Sequence, residues 1–213
     1  MKDAGPIIGI LALQGDYDAH RETLNRLGAH TMLVRKPEQL GEIDGLVIPG
    51  GESSTFLKFL QREGFLDRLR DFVAQKPVFG TCAGAILLAR EVQNPSQESL
   101  GALDIAIRRN AYGRQVDSSI ESVNTHLGGS PLEMVFIRAP RIERVGASVE
   151  VLAEREKHPV LVKQRNLLAA TFHPELSNDS RVHELFLEMV RKSKDNGRQT
   201  LHYGDTETRR KDR

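Results

Sequence analysis

Residues 77–84 read P-V-F-G-T-C-A-G, and the fold turns on how this stretch is built. Pro77 to Gly80 is a short apolar run of strand length, and Ala83 to Arg90 continues as a helix, so a strand gives way to a helix at Cys82. Gly80 and Gly84 leave room for the sharp turn this requires. A buried strand ending in glycine and running straight into a helix is the repeating unit of an α/β protein.

The flanking sequence repeats the pattern. Ile7 to Leu13 reads as a strand, followed by Gln14, Gly15 and a helix from Asp16, a good N-cap type, to Leu27, with Gly28 as its stop. Thr31 to Val34 is a second strand. Gly45 to Ile48 is a third, closed by Pro49, Gly50 and Gly51, and Ser53 or Ser54 is placed to cap a helix carrying Phe56, Leu57, Phe59 and Leu60. From Leu103 the character changes to short β-like runs at 103–107, 135–137, 149–152 and 160–162, the mark of a strand-rich, partly antiparallel half. Leu167 to Phe172 is a further apolar run ending at His173, Pro174 and Glu175, before a helix whose Val182, Leu185, Phe186, Met189 and Val190 recur at helical spacing. These runs predict one domain over residues 1–192. Residues 193–213 show no hydrophobic periodicity and read as a disordered polar tail.

The composition excludes several classes. Lys and Arg total 30 against 29 Asp and Glu, which gives no long-range attraction for nucleic acid or an anionic membrane. No apolar run approaches the roughly 18 residues of a membrane span. The single cysteine rules out an intrachain disulfide and CxxC chemistry, and no secretion signal opens the chain, so a reducing cytoplasmic setting is expected. There is no H-E-x-x-H, and no metal is expected.

The chemistry centres on Cys82. A lone cysteine is commonly a small buried filler, but here it stands at a strand-to-helix elbow whose first free amides favour negative charge. A thiol of ordinary pKa near 8.5 is little ionised at neutral pH, so it needs a base or cation beside it. Of seven histidines, His20, His30, His126, His158, His183 and His202 lie in helical, loop or tail contexts, whereas His173 ends an apolar strand. Sites in open α/β sheets form at the carboxyl ends of strands, where Cys82 also falls. Glu175 is placed to hold the imidazole in one tautomer, and Pro174 stiffens the turn between them. The P-G-G-E-S run at 49–53 lacks the endings of a nucleotide-binding loop. Its glycine amides suit an oxyanion hole, with one donor from Gly51 and one from Ala83, although a plain Gly-Gly turn explains it equally well.

Taken together, G-T-C-A-G at 80–84, H-P-E at 173–175 and P-G-G-E-S at 49–53 resemble the class I, triad-type glutamine amidotransferases. Three further runs are similar to the glutaminase subunits of pyridoxal 5'-phosphate synthases: I-G-I-L-A-L-Q-G-D at the start, R-R-N-A-Y-G-R-Q-V-D-S at 108–118 and F-I-R-A-P at 136–140. The resemblance implies a doubly wound, mostly parallel mixed sheet with helices on both faces, hydrolysis of L-glutamine to glutamate and ammonia, and no bound cofactor. It implies Cys82 as nucleophile, His173 as base and Glu175 as its orienting acid, with Gly51, Glu52, Ser53, Arg109, Ile137 and Arg138 lining the glutamine site. Guanidinium groups suit a substrate carboxylate and Glu52 an α-ammonium, while without the family Arg109 and Arg138 read as solvated strand-end charges. The resemblance further implies a heteromeric complex in which ammonia passes to a synthase (lyase) subunit. Two other readings stand beside it: a glutaminase for another synthase, such as that making imidazole glycerol phosphate, and a non-catalytic redox-sensing module of the same fold.

Overall fold

The computed structural model describes residues 5–109 and 118–208, with side chains through 196. Seven strands form the main sheet: β1 Ile7–Leu11, β2 His30–Val34, β3 Gly45–Ile48, β4 Val78–Thr81, β10 Glu150–Arg155, β11 His158–Gln164 and β12 Leu167–Ala170. Their spatial order is β10-β11-β12-β4-β3-β1-β2. From β2 to β12 every pairing is parallel, and β12-β11-β10 are antiparallel. The mostly parallel mixed sheet expected from the sequence is thus the architecture of the chain.

Alternation along the strands feeds two cores, as strand geometry requires. Leu46, Ile48 and Val78 point to one face, where they meet Phe56 and Leu60 of α2 (Ser53–Arg62), Phe65 and Leu69 of α3 (Phe65–Gln75) and Ile86 of α4 (Ala83–Leu88). Val47 and Phe79 point to the other, against Leu24 of α1 (Tyr17–Arg26) and Val182, Phe186 and Val190 of α5 (Arg181–Thr208). The helices therefore cover both faces, which explains why the central strands are apolar throughout rather than alternating.

Several boundaries differ from the sequence expectation. The first strand stops at Leu11, and α4 ends at Leu88, because Ala89–Gln93 leaves as strand β5. β5 pairs with β6 (Leu103–Arg108), which pairs in turn with β9 (Arg141–Val145). A separate hairpin joins β7 (Ser118–Val123) to β8 (Leu132–Ile137). The cap of α2 is neither Ser53 nor Ser54 but Glu52, whose carboxylate accepts from the amides of Ser54 (3.0 Å) and Thr55 (2.6 Å); a full negative charge suits a helix N-terminus better than a hydroxyl. The backbone of α5 stays helical through residues 193–208, where the sequence suggests a disordered tail. Propagating an established helix costs little per residue, and a polar stretch can extend one without apolar periodicity. Among the described residues, no helix is long and apolar enough to cross a membrane.

Candidate active site

Four loops at the carboxyl edge of the sheet converge on one place: Gln14–Asp16 after β1, Pro49–Glu52 after β3, Cys82 after β4 and His173 after β12. The elbow is tight. Cys82 has φ 47° and ψ −102°, an uncommon conformation for a residue with a side chain. Its amide donates to the Ala170 carbonyl at 2.8 Å, tying the turn to β12. A Cβ on Gly80 would lie 2.6 Å from the Gly84 backbone, and one on Gly84 would run into the Ile48 carbonyl. The two glycines thus let α4 sit directly on β4 and β3.

His173 is held from two sides. Its amide donates to the Val135 carbonyl of β8 at 2.8 Å, and its Nδ1 lies 2.7 Å from Glu175 Oε1. Glu175 rides on a single 3-10 turn, Pro174–Leu176, which returns its carboxylate under the imidazole. Burial opposes a charge on His173, but hydrogen bonds to Cys82 and Glu175 and the charges of both outweigh it, raising the imidazole pKa to about 10. Burial likewise opposes charge on Glu175, yet His20 and His173 hold its pKa below the usual value. The proton of this cluster therefore rests on His173 at neutral pH. The approach is close: a Cβ on Gly50 would stand 2.5 Å from His173 Cε1 and 3.4 Å from Cys82 Cβ. Gly50 is thus a clearance for the imidazole as well as part of a turn.

Cys82, His173, Gly51, Glu52, Ser53, Arg109, Ile137 and Arg138 all line one cavity of about 270 Å³. Ala83 lies behind Cys82 as the first residue of α4, and Glu175 lies behind His173. Arg109 is 9% exposed, its guanidinium donating to Ser54 Oγ at 2.6 Å and standing 3.6 Å from Glu52 Oε1. It is thus not a solvated surface charge. Arg138 takes a positive φ of 44° directly after β8, a bend that turns the chain at the cavity wall. Ser53 is turned to Gln97 Oε1 at 3.2 Å. The carboxylate of Glu52 is already engaged by the cap of α2, which depresses its pKa to about 2 through the hydrogen bonds of Thr55 and Ser54 against a smaller cost of burial. Residues 110–117 of the 108–118 run, Tyr112 among them, lie outside the described residues.

The sequence reading missed Gly15, Asp16, Ile86 and Pro140, which also line the cavity. It missed Gln14, whose Nε2 donates to the Glu52 carbonyl at 2.8 Å. The signal for Gln14, Gly15 and Asp16 was available: Q-G-D follows β1, the strand beside β3, at the same sheet edge as the other loops. Asp16, His173 and Glu175 each bring an atom of metal-ligand type within 4.8 Å of the others, but His173 and Glu175 already satisfy one another.

The profile of the SNO glutamine amidotransferase family matches residues 10–192. The chain belongs to this family. The amidotransferase is 67% identical over 184 residues to the pyridoxal 5'-phosphate synthase subunit PdxT of Koribacter versatilis (strain Ellin345), covering 86% of the chain and 95% of that relative. It is 50% identical over 186 residues to the subunit of the same name from Thermotoga maritima, covering 86% of the chain and 99% of the relative. Among solved structures, one described as a glutamine amidotransferase superposes with a TM-score of 0.81 at 47% identity, over 86% of this chain and 98% of that one. A putative GMP synthase component from Thermoplasma acidophilum superposes with a TM-score of 0.67 at 16% identity, over 91% and 98% of the two chains, and shares the fold.

Proposed function

We propose that this chain is the cytoplasmic glutaminase subunit of a pyridoxal 5'-phosphate synthase, hydrolysing L-glutamine and passing ammonia to a synthase (lyase) subunit in a heteromeric complex. The observation that carries the reading is the placing of Cys82 and His173 on one cavity with Glu175 hydrogen-bonded behind the imidazole at 2.7 Å. The names of relatives up to 67% identical support the identity of the synthase.

The chemistry follows from the arrangement of protons. With His173 protonated beside it, the Cys82 sulfur adds to the γ-carboxamide carbon, and the carbonyl electrons move onto oxygen. The amides of Gly51 and Ala83 are the proposed oxyanion donors. As the tetrahedral centre collapses, the C–N bond breaks and His173 gives its proton to the departing nitrogen, leaving ammonia and a γ-glutamyl thioester. Neutral His173 then takes a proton from water as the hydroxide adds to the thioester. The C–S bond breaks, the new γ-carboxyl group gives its remaining proton to solvent, and glutamate leaves with the thiolate–imidazolium pair restored. Glu175 remains ionised and keeps His173 in the tautomer that directs Nε2 at the sulfur. Gly51, Glu52, Ser53, Arg109, Ile137 and Arg138 are the proposed glutamine contacts, with Arg109 the buried cation for a carboxylate. Residues 1–192 form the proposed catalytic unit.

The test is glutamate release by the chain mixed with its synthase subunit. Cys82→Ala should abolish it, and an electrophilic glutamine analogue should label Cys82 stoichiometrically in competition with glutamine. Native hydrolysis by Cys82→Ala would remove Cys82 from the mechanism. Labelling that glutamine fails to block would favour a redox-sensing thiol.

A further inference from the structure

Behind the triad lies a second layer of polar groups that the reaction above does not use. His20 on α1 and His183 on α5 are both fully buried, come from opposite ends of the chain, and meet with His20 Nδ1 2.9 Å from His183 Nε2. His20 Nε2 faces the site, 3.2 Å from Thr81 Oγ1 and 3.3 Å from Glu175 Oε2. That carboxylate oxygen is buried and has no aligned hydrogen-bond donor among the described residues, although its twin Oε1 is bound by His173. A buried carboxylate oxygen without a donor is costly, and a small turn of the His20 ring carries its N–H from Thr81 to Glu175.

Which nitrogen of His20 holds the proton follows from the pair. Burial lowers the pKa of both histidines, that of His183 to about 3, so each imidazole is neutral and carries one N–H. If His20 gave its proton to His183, its bare Nε2 would face the Glu175 carboxylate, and the His183 Nδ1–H would be buried without an acceptor. If His183 donates from Nε2, His20 keeps its proton on Nε2, aimed at the acceptors, and only a lone pair on His183 Nδ1 is left over. The second arrangement avoids both penalties. The charged or titratable groups around the pair are Asp16 and Arg26 from the α1 segment, Glu175 and His173 from the turn after β12, and, through His173, Cys82.

We infer that His20, fixed in its Nε2–H tautomer by His183, is a positioning residue that binds the outer oxygen of Glu175 and so keeps the triad carboxylate ionised and oriented toward His173. This rests on the glutaminase reading of the site. It makes the acid branch of the triad four residues deep, from sulfur through His173 and Glu175 to His20, with His183 setting the last proton.

Two variants of equal polarity separate this from a packing role. His20→Gln places its amide N–H where Nε2 was, and His20→Asn places it where Nδ1 was. Glutamine hydrolysis by the full chain with its synthase subunit is measured from about pH 4 to 9, with iodoacetamide alkylation of Cys82 in the chain alone as a second reading. The expected result is a His20→Gln variant within about threefold of native. In His20→Asn the rate should fall about tenfold or more, and the acid limb of both profiles should move up by about one pH unit, as Glu175 accepts a proton more readily. An unmoved acid limb in His20→Asn, or equal displacement in both variants, overturns the inference. If the unsubstituted complex releases no glutamate, the glutaminase reading fails instead, and the alkylation profiles still decide the role of His20.

Discussion

Gly80→Ala is the sharpest test of the elbow, because the added methyl meets only backbone. Its Cβ would stand 2.6 Å from both C and O of Gly84 and 2.9 Å from the Ala85 nitrogen. Ordinary contact is about 3.5–4.0 Å, so α4 must retreat from β4 by roughly 1 Å. No side chain can rotate to absorb that shift, and Cys82 joins the two elements being forced apart. Overpacking of this kind costs about 1–3 kcal/mol. A displacement of about 1 Å at the reacting atom costs about a hundredfold in rate. The assay is urea denaturation together with glutamate release in the presence of the synthase subunit. Gly41→Ala is the control, since a Cβ there meets nothing within 4 Å and the backbone needs no positive φ; its stability should be unchanged or slightly raised. A Gly80→Ala protein with native stability and native turnover would refute the claim that close packing of α4 on β4 sets the thiol.

Four other perturbations test separate features. Cys82 holds a positive φ of 47°, so Cys82→Gly should be about 1 kcal/mol more stable than Cys82→Ala by denaturant titration, and a less stable glycine variant would speak against backbone strain at this position. Stability should fall as pH drops from 6.5 toward 3, because His183 has its pKa lowered to about 3 by burial and the unfolded chain takes up the proton first, giving a slope of about 1.4 kcal/mol per pH unit. His183→Gln should flatten that limb, and an unchanged slope would show that His183 is not its source. His173 acts with the opposite sign: its raised pKa of about 10 contributes stability in full below 6.5 and loses it as pH climbs toward 10, so His173→Gln should flatten the alkaline limb. Glu52→Gln should weaken the cap of α2 by about 0.5–1 kcal/mol, read as a shift in denaturation midpoint, and no shift would mean that Ser53 or water replaces the carboxylate.

The parts legible from sequence were those encoded locally. Each apolar run ending in glycine or proline became a parallel strand, and the His173–Glu175 pairing could be read because both lie on one turn. Helix α3 passed unnoticed because its apolar residues follow α2 after only a Gly64 break, so two helices look like one amphipathic stretch. β7 escaped because its burial alternates between exposed and half-buried with no fully buried position, which leaves no apolar signature. His20 and His183 were set aside as ordinary helical histidines. Their meeting depends on α1 and α5 lying on the same face of the sheet, a long-range fact that neither segment records. Arg109 was visible as a residue but not as a buried one, since its enclosure comes from Ser54 and Glu52, far away in the chain.

The position of β12 bears on how the enzyme comes into being. Among the described residues it is the last strand to be made, yet it lies inside the sheet between β11 and β4. While the chain is being synthesised, β4 therefore presents an open edge until residue 170 emerges, and the Cys82 amide waits for the Ala170 carbonyl that anchors it. The same late segment delivers His173 and Glu175. A nascent chain that ends just after β4 already contains Cys82 but neither His173 nor Glu175, so the three side chains are brought together only when β12 closes the sheet.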